Sequence, residues 1–169
     1  KIIGYTTRNS GGVPKNFRNY FVLKFDKPFT YTASVTEGNI STGSLESESK
    51  HSGGIIGFST KRGEQVSVRV ASSFISHEQA ELNLREVAKD SFEKVAEKAR
   101  KEWNDVLGRF DVQDMSDQDR VRTFYSCLYR SVLFPRSFYE IDAKGKVVHY
   151  SPCNGQVMPG YFFTDTGFW

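Results

Sequence analysis

Gln65-Val-Ser-Val-Arg-Val-Ala-Ser-Ser-Phe-Ile-Ser-His-Glu-Gln79 contains a change of period. Val66, Val68 and Val70 alternate with Gln65, Ser67 and Arg69, the two-residue repeat of a strand whose successive side chains leave on opposite faces. A few residues on, Ser76-His-Glu-Gln79 has the form of a capping box. The Ser76 hydroxyl is placed for the backbone N–H three residues ahead, and the Gln79 amide is able to reach back. Sheet on one side of this stretch and helix on the other predict an α+β chain.

Upstream, residues 1–73 carry period-two patterning broken by turn residues. Residues 20–25, 31–36 and 54–59 read as strands, with Gly11-Gly12 and Pro28 as punctuation. Lys61-Arg-Gly-Glu64 reads as the hairpin turn into the valine strand. Residues 37–51, rich in Ser, Glu and Gly, read as a solvated loop or disordered connection. Alternating strands of this kind are the material of an antiparallel β-sandwich.

Downstream of Ser76, Ala80, Leu84, Val87 and Ala88 form one helical stripe. Asp90-Ser-Phe-Glu93 repeats the capping chemistry, and Phe92, Val95, Ala96, Ala99, Trp103, Val106 and Leu107 form a second stripe ending at Gly108. The mixed charges of that second helix read as a solvated face. Ser116 is the predicted cap of a third helix, from 117 to about 134, with Val121, Phe124, Leu128, Val132 and Leu133 inward and Pro135 as its stop. A hairpin from residues 138–142 and 146–150 follows. Its Glu140 and Asp142 share a strand face, as paired carboxylates or as solvated ones. His51, His77 and His149 read as solvated, capping or hydrogen-bonded residues, and Arg130 and Arg136 as charge partners of a helix end.

Tyr150-Ser-Pro-Cys-Asn-Gly-Gln-Val-Met-Pro-Gly-Tyr-Phe-Phe-Thr-Asp-Thr-Gly-Phe-Trp169 closes the chain. Its prolines and glycines forbid a long helix or central strand, yet its aromatics are too many for a solvated linker, so it reads as a loop lining a pocket. Its polar groups, Asn154, Gln156, Thr164, Asp165 and Thr166, are expected to face one way. Sugar rings stack on aromatic faces and offer vicinal hydroxyls to a carboxylate, and Asp165 beside Phe163, Phe168 and Trp169 suits that chemistry. An Asp in Thr-Asp-Thr-Gly also suits a helix cap.

The 169 residues are 38% hydrophobic and 14% aromatic, enough for a packed core. The net charge of +3 is dispersed, which argues against a nucleic-acid partner. Cys127 and Cys153 lack metal-type spacing. No apolar run approaches the ~20 residues of a bilayer span, so no transmembrane segment is expected. The chain begins without Met and reads as an internal fragment of a longer protein.

Phe124-Tyr-Ser-Cys-Leu-Tyr-Arg-Ser-Val-Leu-Phe-Pro-Arg136, Val148-His-Tyr-Ser-Pro-Cys-Asn-Gly155 and Gly160-Tyr-Phe-Phe-Thr-Asp-Thr-Gly-Phe-Trp169 resemble the opening of the catalytic domain of glycoside hydrolase family 92, the calcium-dependent exo-acting α-mannosidases. Asn19-Tyr-Phe-Val-Leu-Lys-Phe-Asp-Lys-Pro-Phe29 resembles the family's N-terminal β-sandwich. Phe74-Ile-Ser-His-Glu-Gln-Ala80 and Asn83-Leu84 resemble its helical linker. The resemblance implies the late part of a β-sandwich over 1–75, a two-helix linker over 76–112, and the first helix and hairpin of an α/α toroid over 113–169.

It further implies removal of terminal mannose, often α-1,2-linked, from glycans with inversion, which needs a general acid and a general base about 6.5–9.5 Å apart. Neither carboxylate maps to a motif of this chain, so no catalytic residue is assigned here and the chain alone is expected to be inactive. Ca²⁺, an oxygen-liganded cation, is implied for the parent with ligands mostly downstream. In the terminal motif Asp165 maps to hydrogen bonding of the terminal sugar, and Trp169 with Phe168 to the aromatic wall. Cys153 departs from the family pattern, where an aromatic is usual. A periplasmic, secreted or cell-surface location follows from the family alone. The competing reading is a non-catalytic module that binds carbohydrate or a partner chain.

Overall fold

The computed structural model describes residues 1–113 and 116–164. It is α+β, with antiparallel sheets and helices in separate stretches of the chain, and has two compact units: 1–2 with 23–70, and 3–22 with 71–169.

In the first unit β3 (Tyr31–Thr36) lies between β4 (Asn39–Thr42) and β5 (Ser52–Gly57). Ala33 is opposite Thr42 on one side and Ile55 on the other, and is buried with its neighbour Ser34. β4 corrects the expectation of an unstructured 37–51. The β3–β4 turn is Glu37-Gly38, both at positive φ (48° and 84°), the geometry of a two-residue hairpin. Glu in the place usually taken by Asn or Asp hides that signal in the sequence. Phe25, Phe29 and Phe58 form an aromatic trio with centroids 5.3–5.6 Å apart. The predicted turn at 61–64 is present: Glu64 N–H donates to the Lys61 carbonyl at 3.0 Å, and Glu64 pairs with Lys27.

A three-stranded sheet has the order β1 (Ile2–Thr6), β2 (Asn19–Phe25), β6 (Val68–Ser73). The valine face of β6 is the open one, with Val68 47% and Val70 57% exposed, while Ala71 and Ser73 point inward. The alternation was legible in the sequence. Which face finds cover within this chain was not, because period two fixes only that the faces differ.

In the second unit α1 (His77–Asn83) starts at Ser76, whose hydroxyl accepts the Gln79 N–H at 3.1 Å. Gln79 does not reach back; its side chain donates to Asn83 Oδ1 (2.9 Å) and to the Ile141 carbonyl (2.7 Å). α1 is shorter than its stripe predicts and passes into a 3₁₀ turn, Leu84–Glu86. Ala80 (0% exposed) and Leu84 (6%) close on Val22 (1%), with Tyr20 and Ala71 at the margin. Burying such side chains supplies about 1.5–3 kcal/mol each for the larger ones, which is what holds so short a helix.

α2 (Phe92–Leu107) is capped by Ser91, and Gly108 sits at its C-terminus. Asp90, one residue outside the helix, instead pairs with Lys94 (3.0 Å) and Lys98. α3 (Gln118–Ser131) is capped by Asp117, whose carboxylate accepts the N–H groups of Asp119 and Arg120 at 3.1 Å, so the cap falls one residue past Ser116. Trp103 meets Tyr129 at 4.5 Å between the two helices. The inward stripe of α3 is only partly realised, since Val121 is buried but Phe124 and Val132 are exposed. Among the described residues no helix is long and apolar enough to cross a membrane.

The chain ends in two small antiparallel sheets. One has the order β10 (Val157–Pro159), β9 (Val147–Tyr150), β8 (Glu140–Ile141); the other pairs β7 (Arg136–Ser137) with β11 (Phe163–Thr164). Pro159 is tolerated because β10 is an edge strand.

Candidate functional site

The turn after β9 is built by its own polar atoms. Ser151 N–H donates to the Gln156 carbonyl and Gly155 N–H to the Ser151 carbonyl, both at 2.8 Å, and Asn154 Oδ1 accepts the Gln156 N–H at 2.9 Å. Asn154 is therefore spent on the turn instead of facing a pocket. Gly155 (φ 75°) presses against Asn16, so that a Cβ there would lie 2.4 Å from Asn16 Oδ1. Asn16 donates to the Gly155 carbonyl at 2.8 Å and accepts the Tyr150 hydroxyl at 3.2 Å. Tyr150 is buried edge-on to Phe17 (5.9 Å), and burial pushes its phenol up from the usual value. Nothing in the sequence points to a pairing across 139 positions.

From this turn the chain returns along residues 136–138. Phe138 N–H donates to the Phe162 carbonyl at 2.8 Å, and Ser137 and Arg136 stand opposite Phe163 and Thr164. His149 is the structural histidine its position suggested: Nδ1 is 2.9 Å from the Gly160 carbonyl and the ring stacks on Phe162 at 5.0 Å. Phe138 stacks on Phe74 at 4.4 Å. On the outer side Tyr139 meets Tyr161 (4.8 Å) and Phe163 (5.8 Å), and the last two remain 66% and 53% exposed. His77 likewise has a structural place, 3.2 Å from the Gly4 carbonyl and edge-on to Tyr20.

The carboxylates of Glu140 and Asp142 are each taken up by hydrogen bonds within the fold. Glu140 Oε1 accepts the Phe74 N–H at 3.0 Å and Oε2 the Asn83 amide at 2.7 Å. Asp142 turns the hairpin, accepting the N–H groups of Lys144 and Lys146 at 2.8 Å, and the Lys146 N–H foremost holds its carboxyl below the usual range. Sequence reasoning placed both on one face but missed the donors, which come from residues up to 66 positions away.

Asp165, Phe168 and Trp169, the predicted sugar contacts, lie outside the described residues, as does Thr166. What is described is the ribbon that leads to them, with two exposed aromatic rings. Among the described residues no three His, Cys, Asp or Glu side chains converge to hold a metal, so none of them is assigned to Ca²⁺. Cys127 and Cys153 are free and exposed. A cavity of about 390 Å³ lined by Val112, Ser116, Asp117, Arg120, Val121 and Phe124 lies at the start of α3, where Asp117 caps the helix and pairs with Arg120 at 3.0 Å.

The sheet of the chain's first part gives way to capped helices and then to an aromatic ribbon that contains Pro152 and Pro159. Residues 1–73 match the family model described as the glycosyl hydrolase family 92 N-terminal domain, and residues 79–169 match the one described as the family 92 catalytic domain. The chain belongs to glycosyl hydrolase family 92.

Among solved structures it is similar to the family GH92 inverting mannosidase BT2199 from Bacteroides thetaiotaomicron, at 41% identity and TM-score 0.90, over 99% of this chain and 23% of that one. The family GH92 α-mannosidase BT3965 of the same organism shares the fold at 23% identity and TM-score 0.70, over 91% of this chain and 21% of that one. The chain thus spans about a quarter of the length of the solved relatives it matches. No match was found among curated proteins.

Proposed function

We propose that this chain is a segment of an exo-acting α-mannosidase that removes terminal, α-1,2-linked mannose from glycans with inversion, with its domains divided near 75 and 112. The observation that carries this is the 41% identity, over nearly the whole chain, to a protein described as an inverting mannosidase. Inversion requires an acid on the leaving oxygen and a base activating water on the opposite ring face. Glu140 and Asp142 are occupied by donors, and Asp165 alone does not fill both roles, so the acid and base lie elsewhere in the longer protein. The 169-residue chain by itself is inactive on this reading.

Asp165 is assigned to accept hydroxyl groups of the terminal mannose, with Trp169 and Phe168 as its apolar wall. The longer protein is assigned a Ca²⁺ held by oxygen ligands from outside the described residues, and a periplasmic, secreted or cell-surface location. The test is turnover of α-1,2-mannobiose by the longer protein, followed by NMR. The expected outcome is β-mannose as first product, loss of activity in EDTA and recovery with Ca²⁺. Asp165→Ala is expected to lower kcat/KM more than a hundredfold with little change in Tm, since charge-assisted bonds to substrate in a desolvated site are worth about 1.5–3 kcal/mol or more in the transition state. Retained anomeric configuration or full activity in EDTA defeats the mechanism. A variant that melts lower yet turns over normally makes Asp165 a helix cap. Glycan binding without any turnover favours a non-catalytic module.

A further inference from the structure

Glu140 is held as few exposed-hairpin carboxylates are. Both of its oxygens accept, one from the Phe74 backbone N–H (3.0 Å) and one from the Asn83 side chain (2.7 Å). Asn83, the last residue of α1, spends its other amide hydrogen on the Ser72 carbonyl (2.9 Å), and its Oδ1 accepts from Gln79, which also donates to the Ile141 carbonyl (2.7 Å). Three side chains and three backbone groups thus tie the end of β6, the helix α1 and the strand β8 into one network. The same strand is covered from the side by Phe138 stacked on Phe74.

The strand so held carries something. Two residues before Glu140, Phe138 donates to the Phe162 carbonyl, and Ser137 and Arg136 pair with Phe163 and Thr164, the last described residues before the terminal motif. The network is the rigid side of a lever whose other side is that ribbon. We propose that Glu140 is a positioning residue: it fixes the 136–141 segment, and through it the 162–164 ribbon, on α1. This rests on the mannosidase reading for its effect on turnover, but not for its effect on the ribbon.

Donor polarity makes the role testable. Glu140→Gln keeps shape but turns an NH₂ toward a donor whichever way its amide lies, because both neighbours donate. The change is confined to this network, so a backbone amide of α2, that of Val95, which donates to the Ser91 carbonyl at 3.0 Å, serves as an internal reference. In the longer protein, E140Q is expected to lower kcat/KM at least tenfold at a temperature well below its Tm. Protection of the Phe138 amide against hydrogen exchange is expected to fall by at least the same factor. Protection of the Val95 amide is expected to stay unchanged, which a generally loosened fold would not leave.

Wild-type activity and exchange in E140Q, or an equal loss of protection at the Val95 amide, overturns the proposal. If E140Q fails to fold, N83A, which removes one of the two donors, is expected to lower both readouts at least threefold, and unchanged values there overturn it equally. If the wild type shows no mannoside turnover, the function proposed above fails, while the exchange data alone decide the role of Glu140.

Discussion

The helix α1 and the helix pair α2–α3 are drawn from the same sequence grammar and reach different ends. α1 is seven residues long, yet Ala80 is fully buried, Leu84 nearly so, and Gln79 and Asn83 bond to residues about 60 positions away. α2 is sixteen residues with a well-formed apolar stripe, and none of its residues is buried. Phe92 is 79% exposed, and Phe124 on α3 is 41% exposed. Around α2 and α3 the polar contacts reach less far: Asp90 pairs with Lys94 and Lys98, Asp119 with Arg122, Asp117 with its own first turn, and the Tyr125 hydroxyl donates to the Phe110 carbonyl fifteen positions away. Caps and periodicity make a helix; long-range partners decide whether it carries load. The two kinds of region also recur within the terminal sheets, where the turn at Gly155 leans on Asn16 and the tip at Gly145 meets only itself.

The contrast predicts its largest effect in the core. Leu84→Ala in this chain is expected to cost about 2–5 kcal/mol, since it removes a buried side chain that Val22 and Ala80 cannot collapse around. Phe92→Ala, a larger truncation, is expected to stay within about 0.5 kcal/mol because its ring lies mostly in water. Urea unfolding of both variants checks this, and equal losses break the distinction between the regions. Repeating Phe92→Ala in the longer protein sharpens it, because a loss of several kcal/mol there shows that other sequence covers the α2 stripe.

A smaller effect separates two glycines of nearly equal φ. Gly145 (φ 76°) has open space where a Cβ would go, so Gly145→Ala carries only the left-handed strain, about 1–2 kcal/mol. Gly155→Ala carries that strain and in addition drives its Cβ into Asn16, whose two hydrogen bonds must give, a further cost of about 1–3 kcal/mol. Paired melting curves read the difference. If the two variants melt together, the Asn16 contact adds no rigidity to the turn.

Local grammar was legible throughout. Ser76 caps α1 as its capping box predicts, α2 ends at Gly108 and β3 has the limits its alternation gives, whereas the cap of α2 is Ser91 and not Asp90, the first residue of its predicted box. The failures share a cause. The Asp117 cap displaces Ser116 and Glu140 serves as a hydrogen-bond hub, each decided by a choice between two adjacent candidates or by atoms distant in sequence; the alternation of β6 left open which face is covered, and its valines face out. The predicted sugar contacts Asp165, Phe168 and Trp169 came from motif resemblance and fall outside the described residues, so only the ribbon before them was tested.

The smallest expected effect is electrostatic and distinguishes two half-buried carboxylates. Asp142 is held below its usual pKa chiefly by the Lys146 backbone N–H, Asp90 chiefly by the Lys98 ammonium and then by Lys94. Both folded values lie below the unfolded ones, so each contribution is complete above the ordinary carboxylate range, about 4. Each is lost as pH falls through the lowered folded value. The causes differ in how salt acts on them. At about 1 M salt the screening length is only about 3 Å, which weakens an ion pair whose ammonium groups stand in solvent, as those of Lys94 and Lys98 do, but leaves a direct backbone hydrogen bond largely intact. Carboxyl ¹³C titrations at low and high salt are therefore expected to move Asp90 back toward its ordinary pKa and to leave Asp142 depressed. Asp142→Asn should keep the hairpin, since an amide oxygen still accepts both N–H groups, while removing its share of the acid sensitivity. Equal salt shifts for the two carboxylates make Asp142 another ion-paired surface acid, and the tip at Gly145 then has no hydrogen-bonded turn to defend it.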